Sequence, residues 1–223
     1  MRKITLTILT ILFCLTSNVV WSADFQKGLT AAQSGDLATA LREWTPLARK
    51  GYAPAQYNLG QMYRQGKGVP KDNKIAVKWY RLAAEQENAS AQYNLGLLYF
   101  NGKGVPKDNK IAVKWFRLAA EQENARAQYN LGLLYFNGKG VPKDNKIAVK
   151  WFRLAAEQGD ADAQNNLGFM YGNGQGVPQD YIRAHMWWNL AASSGSKEAV
   201  PGRDAVSKRM TPAQIAEAQK LAR

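Results

Sequence analysis

Apolar positions between residues 53 and 196 recur with the period of an α-helix and are interrupted at fixed intervals. In the stretch 89–124, Ala91, Leu95, Leu98 and Tyr99 fall at i, i+4, i+7 and i+8, which predicts a first helix with one apolar face. Asn101-Gly102-Lys103-Gly104-Val105-Pro106 then ends it, because the glycines accept left-handed backbone and Pro106 cannot continue a helix. Asp108 stands where it can cap a second helix, on which Ala112, Trp115, Phe116, Ala119 and Ala120 repeat the apolar spacing. The unit is a helical hairpin. Gly96 in its first helix and Ala119-Ala120 in its second are small, so the two backbones can approach and the aromatic residues can wedge between hairpins.

The hairpin is repeated. Residues 53–88, 89–124, 125–160 and 161–196 align without a gap; the second and third units are identical at 33 of 36 positions, the first and second at 30 of 36. Identity of that order marks internal duplication, which favours a recurring surface over a unique active site. Asp36, Asp72, Asp108, Asp144 and Asp180 are spaced by one repeat, so residues 24–52 read as a degenerate first hairpin without the Gly-x-Gly-Val-Pro loop. Gly51, Gly159 and Gly195 share one phase at the end of the second helix. At the other end, residues 197–223 read as capping helices, with Thr211-Pro212-Ala213-Gln214 carrying Pro at the first helical position and a capping-box Gln. A lone hairpin cannot bury both faces, and stacking against neighbours can; the expected fold is an all-α solenoid.

The first residues change the reading of composition. Met1-Arg2-Lys3, an uncharged run from Ile4 to Thr16 and Val19-Val20-Trp21-Ser22-Ala23 make residues 1–23 a signal peptide, cut after Ala23 or Ser22, with an uncleaved anchor as the alternative. The apolar run is shorter than the ~20 residues of a membrane-spanning helix, so no stable span is expected after cleavage. Cys14 lies in that run, and the mature chain then has no cysteine and one histidine. A cysteine-ligated zinc, an intramolecular disulfide framework and any site needing two imidazoles are excluded, and no cofactor or metal is expected. The net charge of +13 would suggest nucleic acid, but removing Arg2 and Lys3 leaves 28 basic against 17 acidic residues on an exported protein that does not meet the chromosome. The expected location is periplasmic, with secretion as the alternative.

The pattern Ala-x-Ala-Gln-Tyr-Asn-Leu-Gly-x-x-Tyr-x-x-Gly-x-Gly-Val-Pro-x-Asp, followed by Ala-x-x-Trp-Phe/Tyr-x-x-Ala-Ala-x-x-Gly, resembles the Sel-one-like repeat, a relative of the tetratricopeptide repeat with a longer hairpin loop. The resemblance covers residues 53–196 strongly and 24–52 weakly. The closing segment Ala184-His185-Met186-Trp187-Trp188-Asn189-Leu190-Ala191-Ala192, with Met210-Thr211-Pro212, is similar to the family's bacterial members. It implies a right-handed α/α superhelix that binds other proteins and scaffolds complexes, often at the bacterial envelope or in host interaction.

Three sets of residues are candidates for function. Leu95, Gly96, Tyr99, Ala112 and Trp115 with their copies read as packing. Opposite the apolar face of the first helix runs a stripe of Ser90, Tyr93, Leu97, Phe100 and Asn101, with Arg126, Tyr129, Leu133, Phe136 and Asn137 in the next copy and Tyr57 and Arg64 in the preceding one. The tetratricopeptide resemblance implies that this face lines the concave groove; Tyr, Leu and Phe flanked by Asn suit an apolar anchor with amide hydrogen bonds to an extended peptide. Packing between superhelical turns is the other reading. Lys107, Lys110, Lys114 and Arg117, repeated as Lys71, Lys74, Lys78, Arg81 and Lys143, Lys146, Lys150, Arg153, are expected as an outward ladder, either attracting an anionic partner or keeping the array soluble.

Enzyme-like signals are weak. Gly66-Lys67-Gly68 and its copies lack the Ser/Thr and the preceding strand of a phosphate loop. Ser194-Gly195-Ser196-Lys197 has the Ser-x-x-Lys spacing of penicillin-recognising enzymes without their other motifs, and His185 replaces a Val beside two tryptophans. The reading is an exported scaffold that binds a protein or peptide partner in a concave groove, without catalytic residues; a β-lactam hydrolase or other wall-directed enzyme and a secreted host-interaction factor are the alternatives. The partner's identity and the oligomeric state are not assigned.

Overall fold

The computed structural model describes residues 25–222; the expected signal peptide at 1–23 lies outside them. Helices follow one another without strands among the described residues: α1 (25–33), α2 (Leu37–Arg49), α3 (Ala53–Gln65), α4 (Asn73–Ala84), α5 (Ala89–Asn101), α6 (Asn109–Glu121), α7 (Ala125–Asn137), α8 (Asn145–Glu157), α9 (Ala161–Asn173), α10 (Tyr181–Ser193), α11 (Ala199–Ser207) and α12 (Pro212–Leu221). The chain divides into two compact units, one of residues up to Ala91 with the loop Lys103–Pro106, the other of Gln92–Gly102 and the residues from Lys107 onwards. The fold class is the all-α hairpin solenoid.

The repeated aspartates start the second helix of each hairpin. Asp36, Asp72, Asp108, Asp144 and Asp180 are the N-caps of α2, α4, α6, α8 and α10, each carboxylate accepting a backbone N–H of the first turn at 2.8–3.0 Å. An N-cap of this kind stabilises a helix by about 1 kcal/mol. The first helices are capped as well: Asn88, Asn124 and Asp160 accept from Ala91, Ala127 and Ala163, which the sequence reading had not singled out. The hairpin loops close with one recurring bond, the N–H of Asp72, Asp108, Asp144 and Asp180 donating to the carbonyl of Tyr63, Tyr99, Tyr135 and Tyr171.

Within the second unit the core is built from alternating large and small residues. Phe116 of α6 and Phe152 of α8 are fully buried, and each ring lies on a first-helix glycine, Gly96 and Gly132. A Cβ on Gly132 would stand 2.6 Å from the Phe152 ring, so the close approach requires glycine there. Leu95, Leu131 and Leu167 fill the layer between, with Ala112, Ala119, Ala148 and Ala155 leaving room. Trp115, expected in the core, is only half-buried; the adjacent Phe116 takes the central position. In the first unit Trp44, Leu47, Leu59 and Met62 form the equivalent layer, and Tyr80 lies on Gly60.

Loops also join successive hairpins. Gly140 has φ of 77° and lies against the backbone of Asn109, where a Cβ would come within 2.5 Å; Gly176 meets Asn145 in the same way. The second glycine of each loop is therefore a docking point onto the start of the preceding second helix. At the C-terminal end α11 lays Gly202 on the Trp188 indole, and α12 begins with the expected capping box of Thr211 and Gln214. No helix among the described residues is long and apolar enough to cross a membrane.

Candidate partner-binding face

The stripe on the first helices divides into anchored and accessible residues. Tyr93 and Tyr129 are half-buried, their rings 5.9 and 6.0 Å from Phe116 and Phe152 of the same hairpin, so they form the outer layer of the core as well as part of the face. Burial, then the carboxylates of Asp162 and Asp160, push the Tyr129 phenol above its ordinary value, opposed by a hydrogen bond with the Asn166 side chain. Tyr57 stands in the same relation to Tyr80 at 5.9 Å and is bonded through its hydroxyl to Gln61. Arg64 donates to the Tyr80 hydroxyl at 3.3 Å; burial pushes that phenol up to about 12, with Arg64 opposing.

The asparagines are partly committed. Asn101 and Asn137 donate through Nδ2 to the carbonyls of Leu97 and Leu133, each at 2.8 Å, tying down the last turn of their helices. Ser90 is half-buried, and Arg126 is exposed with its charge acting on Asp160.

Leu97, Leu133, Phe100 and Phe136 are half-buried, and two of them, Phe100 and Leu133, line a concavity in the second unit. A cavity of about 140 Å³ is lined by Phe100, Phe116, Asn130, Leu133, Leu134, Asn137 and Lys139. The Lys107 ammonium stands 5.8 Å from the Phe100 ring centre and Lys143 stands 5.6 Å from that of Phe136, both in the range of a cation–π contact. Phe136 meets the exposed Phe169 edge to face at 6.3 Å. Asn130, Lys139 and the cavity floor were not legible as a group, because they belong to different phases of the repeat and converge only when hairpins stack.

The first unit contains a cavity of about 200 Å³ at the same place in the repeat. Asn58, Gln61, Met62, Gln65, Lys67 and Trp44 line it, each 72 residues before Asn130, Leu133, Leu134, Asn137, Lys139 and Phe116. The inter-hairpin socket is thus a recurring feature with an aromatic residue in each, Gln61 and Gln65 standing in the first where Leu133 and Asn137 stand in the second.

The basic ladder is exposed at all twelve positions, but its members differ. Arg117 and Arg153 donate to the hydroxyls of Tyr135 and Tyr171 on the next first helix at 2.5 and 2.7 Å, which makes them links between hairpins. Lys107 and Lys143 adjoin the aromatic stripe. The ladder is therefore not one outward face, as its spacing alone suggested.

A second recurring device was missed in the sequence. Gln128 is 2% exposed; its Nε2 donates to the Ala120 carbonyl at the end of α6, and its Oε1 accepts from Gln158 at the end of α8 at 2.8 Å. Gln56 with Gln86 and Gln92 with Gln122 pair alike. The signal was available: one glutamine stands before the stripe tyrosine or asparagine in all four copies, on the apolar side.

The enzyme-like motifs stand apart from this face. Ser194 is the exposed C-cap residue of α10, and Ser196 bonds to Glu198. His185 is 3% exposed on α10; burial, then the positive charge of Arg203, hold its imidazole below the ordinary value, opposed by Asp204. No group of three or more His, Cys, Asp or Glu able to hold a metal exists among the described residues.

The Sel1 repeat profile matches residues 53–88, 89–124, 125–160 and 161–196. Among solved structures, a protective antigen present in uropathogenic Escherichia coli strains and displaying an SLR fold is 35% identical, with a TM-score of 0.83 over 96% of this chain and 47% of that one. The chain thus spans about half the length of that antigen. A Sel1 repeat protein from Oxalobacter formigenes is 33% identical, with a TM-score of 0.75 over 89% of this chain and 86% of that one. A sel1 repeat protein from Klebsiella pneumoniae, 23% identical with a TM-score of 0.53 over 84% of this chain and 93% of that one, shares the fold. No curated protein matches the chain. Four registered repeats over most of its length, and a fold held in common with these structures, place this chain in the Sel1 repeat family.

Proposed function

We propose that the chain is an exported interaction module that holds a protein or peptide partner on the stripe of its first helices. Sel1 repeat proteins are generally protein–protein interaction scaffolds. The observation that carries the reading for this chain is the aromatic socket of the second unit, where the half-buried Phe100 and Leu133 line a concavity beside Asn137 and Lys139. A concavity of about 140 Å³ is small for a metabolite, since ligand pockets usually hold ~300–1,000 Å³, and suits one side chain of a partner. Tyr93 and Tyr129, held against the core, supply contact area at low entropic cost. The periplasm is the compartment we assign, on the leader-like residues 1–23 and a mature chain without cysteine.

Crosslinking the chain in an envelope fraction and identifying the captured proteins is the test. Phe100→Ala combined with Phe136→Ala should abolish specific capture while the far-UV circular dichroism of the array is retained. Capture that survives the double substitution on a folded chain would reject this face as the binding surface.

A further inference from the structure

We infer that the aromatic socket of the second unit takes an apolar side chain from a partner segment whose flanking residues are carboxylates. The inference rests on the proposed interaction function and adds the chemistry of the partner. Its first support is the charge at the cavity and along its face. Lys139 contributes to the wall itself, Lys107 lies over the ring of the lining Phe100, and Lys143 lies over Phe136 on the same stripe. These three ammonium groups stand at the loop ends of α5 and α7, all on exposed residues.

The carboxylates nearest in sequence do not cancel them. Asp108 and Asp144 each accept a backbone N–H of Ile111 and Ile147 at 3.0 and 2.9 Å, so their charge is directed at the positive ends of α6 and α8. No lysine of the three forms an ion pair among the described residues. The cavity floor is Phe116 and Leu134, apolar and buried, so the bottom of the socket selects an apolar group while its rim selects negative charge.

The hydrogen-bond inventory points the same way. Asn137 and Asn130 each commit one Nδ2 hydrogen to the carbonyls of Leu133 and Arg126, both at 2.8 Å, so the charged donors at the rim are the lysine ammonium groups. Carboxylates are their natural acceptors. A basic segment would meet the like charge of Lys139 in the wall and Lys107 over the Phe100 ring, and a neutral one would leave these cations solvated and add nothing beyond the apolar anchor.

Fluorescence anisotropy with the full chain tests this. The probes are labelled short peptides with a central Phe flanked by Glu and Asp, the same peptide with Lys flanks, and the acidic peptide with Ala at the centre. The acidic Phe peptide should bind about tenfold or more tightly than either variant, and weaken as salt rises. Lys139→Glu with Lys143→Glu, both at exposed positions that leave the core untouched, should lower affinity for the acidic peptide about tenfold and raise that for the Lys-flanked one. Equal binding of acidic and basic peptides would overturn the inference and leave the interaction face standing. Absence of binding by every peptide, with retention on phosphatidylglycerol vesicles, would overturn the inference together with the peptide-binding function.

Discussion

The glutamine pairs give a prediction with its own internal control. Position 158 and its copies 86 and 122 are Gln, and each donates to the buried Oε1 of the glutamine thirty residues earlier at 2.8–2.9 Å. The fourth copy is Ser194, whose side chain is too short to reach, and Gln164 Oε1 is buried without a partner. Its orientation is not free, since Nε2 donates to the Ala156 carbonyl at 3.1 Å. Ser194→Gln should therefore stabilise the last hairpin. A satisfied hydrogen bond contributes about 1 kcal/mol net, and relieving a desolvated acceptor adds about 1–3 kcal/mol. Ordering the longer side chain costs about 1–2 kcal/mol, so a net gain of about 1 kcal/mol remains. For a chain of this size that is about 2–4 °C in Tm. Calorimetry would measure it, and because repeat arrays can open unit by unit, amide exchange in α9 and α10 would locate it. Gln158→Ser should remove a comparable amount from the third repeat. If Ser194→Gln leaves Tm and local exchange unchanged while Gln158→Ser is also neutral, the pairs do not hold the hairpins and the reasoning fails.

Other positions make independent predictions. Glu87 and Glu123 have φ of 61°, in the left-handed region where Gly51, Gly159 and Gly195 stand in the other copies; Glu123→Gly should raise stability by about 1 kcal/mol in thermal unfolding. Gly132→Ala should lower it by about 1–3 kcal/mol in urea titration, because the added methyl overlaps a buried Phe152 ring that has nowhere to move. His185 is held below the ordinary 6.5, so the stability its neutral form contributes is complete above pH 6.5 and is lost as pH falls through the depressed value; His185→Val, the residue of the other copies, should flatten the pH dependence of unfolding below 6.5. Unaltered pH dependence would assign that transition to other groups.

Helix positions, hairpin order and caps were readable because each depends on residues close in sequence. Asp108 caps α6 through a bond to Ile111, and Gly96 with Phe116 announces a close approach by size alone. What could not be read depends on stacking. Trp115 and Phe116 occupy adjacent positions on one apolar stripe, and only the angle between neighbouring hairpins decides which is buried. Arg117 and Lys114 are both basic at helical spacing, yet Arg117 reaches a tyrosine of the next helix and Lys114 lies over Trp115. The helix α11, with Pro201 and Gly202 inside it, had little propensity to announce it; it forms because its glycine seats on Trp188.

Duplication explains why the two cavities share a frame and differ in chemistry. A stacked hairpin must keep the residues that seat its own two helices and its neighbour, and these are the ones the copies hold constant: the glycine under the ring, the buried glutamine of the first helix, the second loop glycine. That packing leaves part of the cavity wall free, so position 61 can be Gln in one cavity where Leu133 stands in the other. Two sockets of different wall chemistry then arise from the same backbone without cost to the core. His185 stands in the last repeat, where α11 brings Arg203 and Asp204 to act on it in place of a further hairpin, whereas the pair missing at Ser194 lies within a single hairpin. Variation in this chain therefore falls into two kinds, changes of surface chemistry within the array and adjustments to a different neighbour at its end. Only the first kind bears on the proposed binding face.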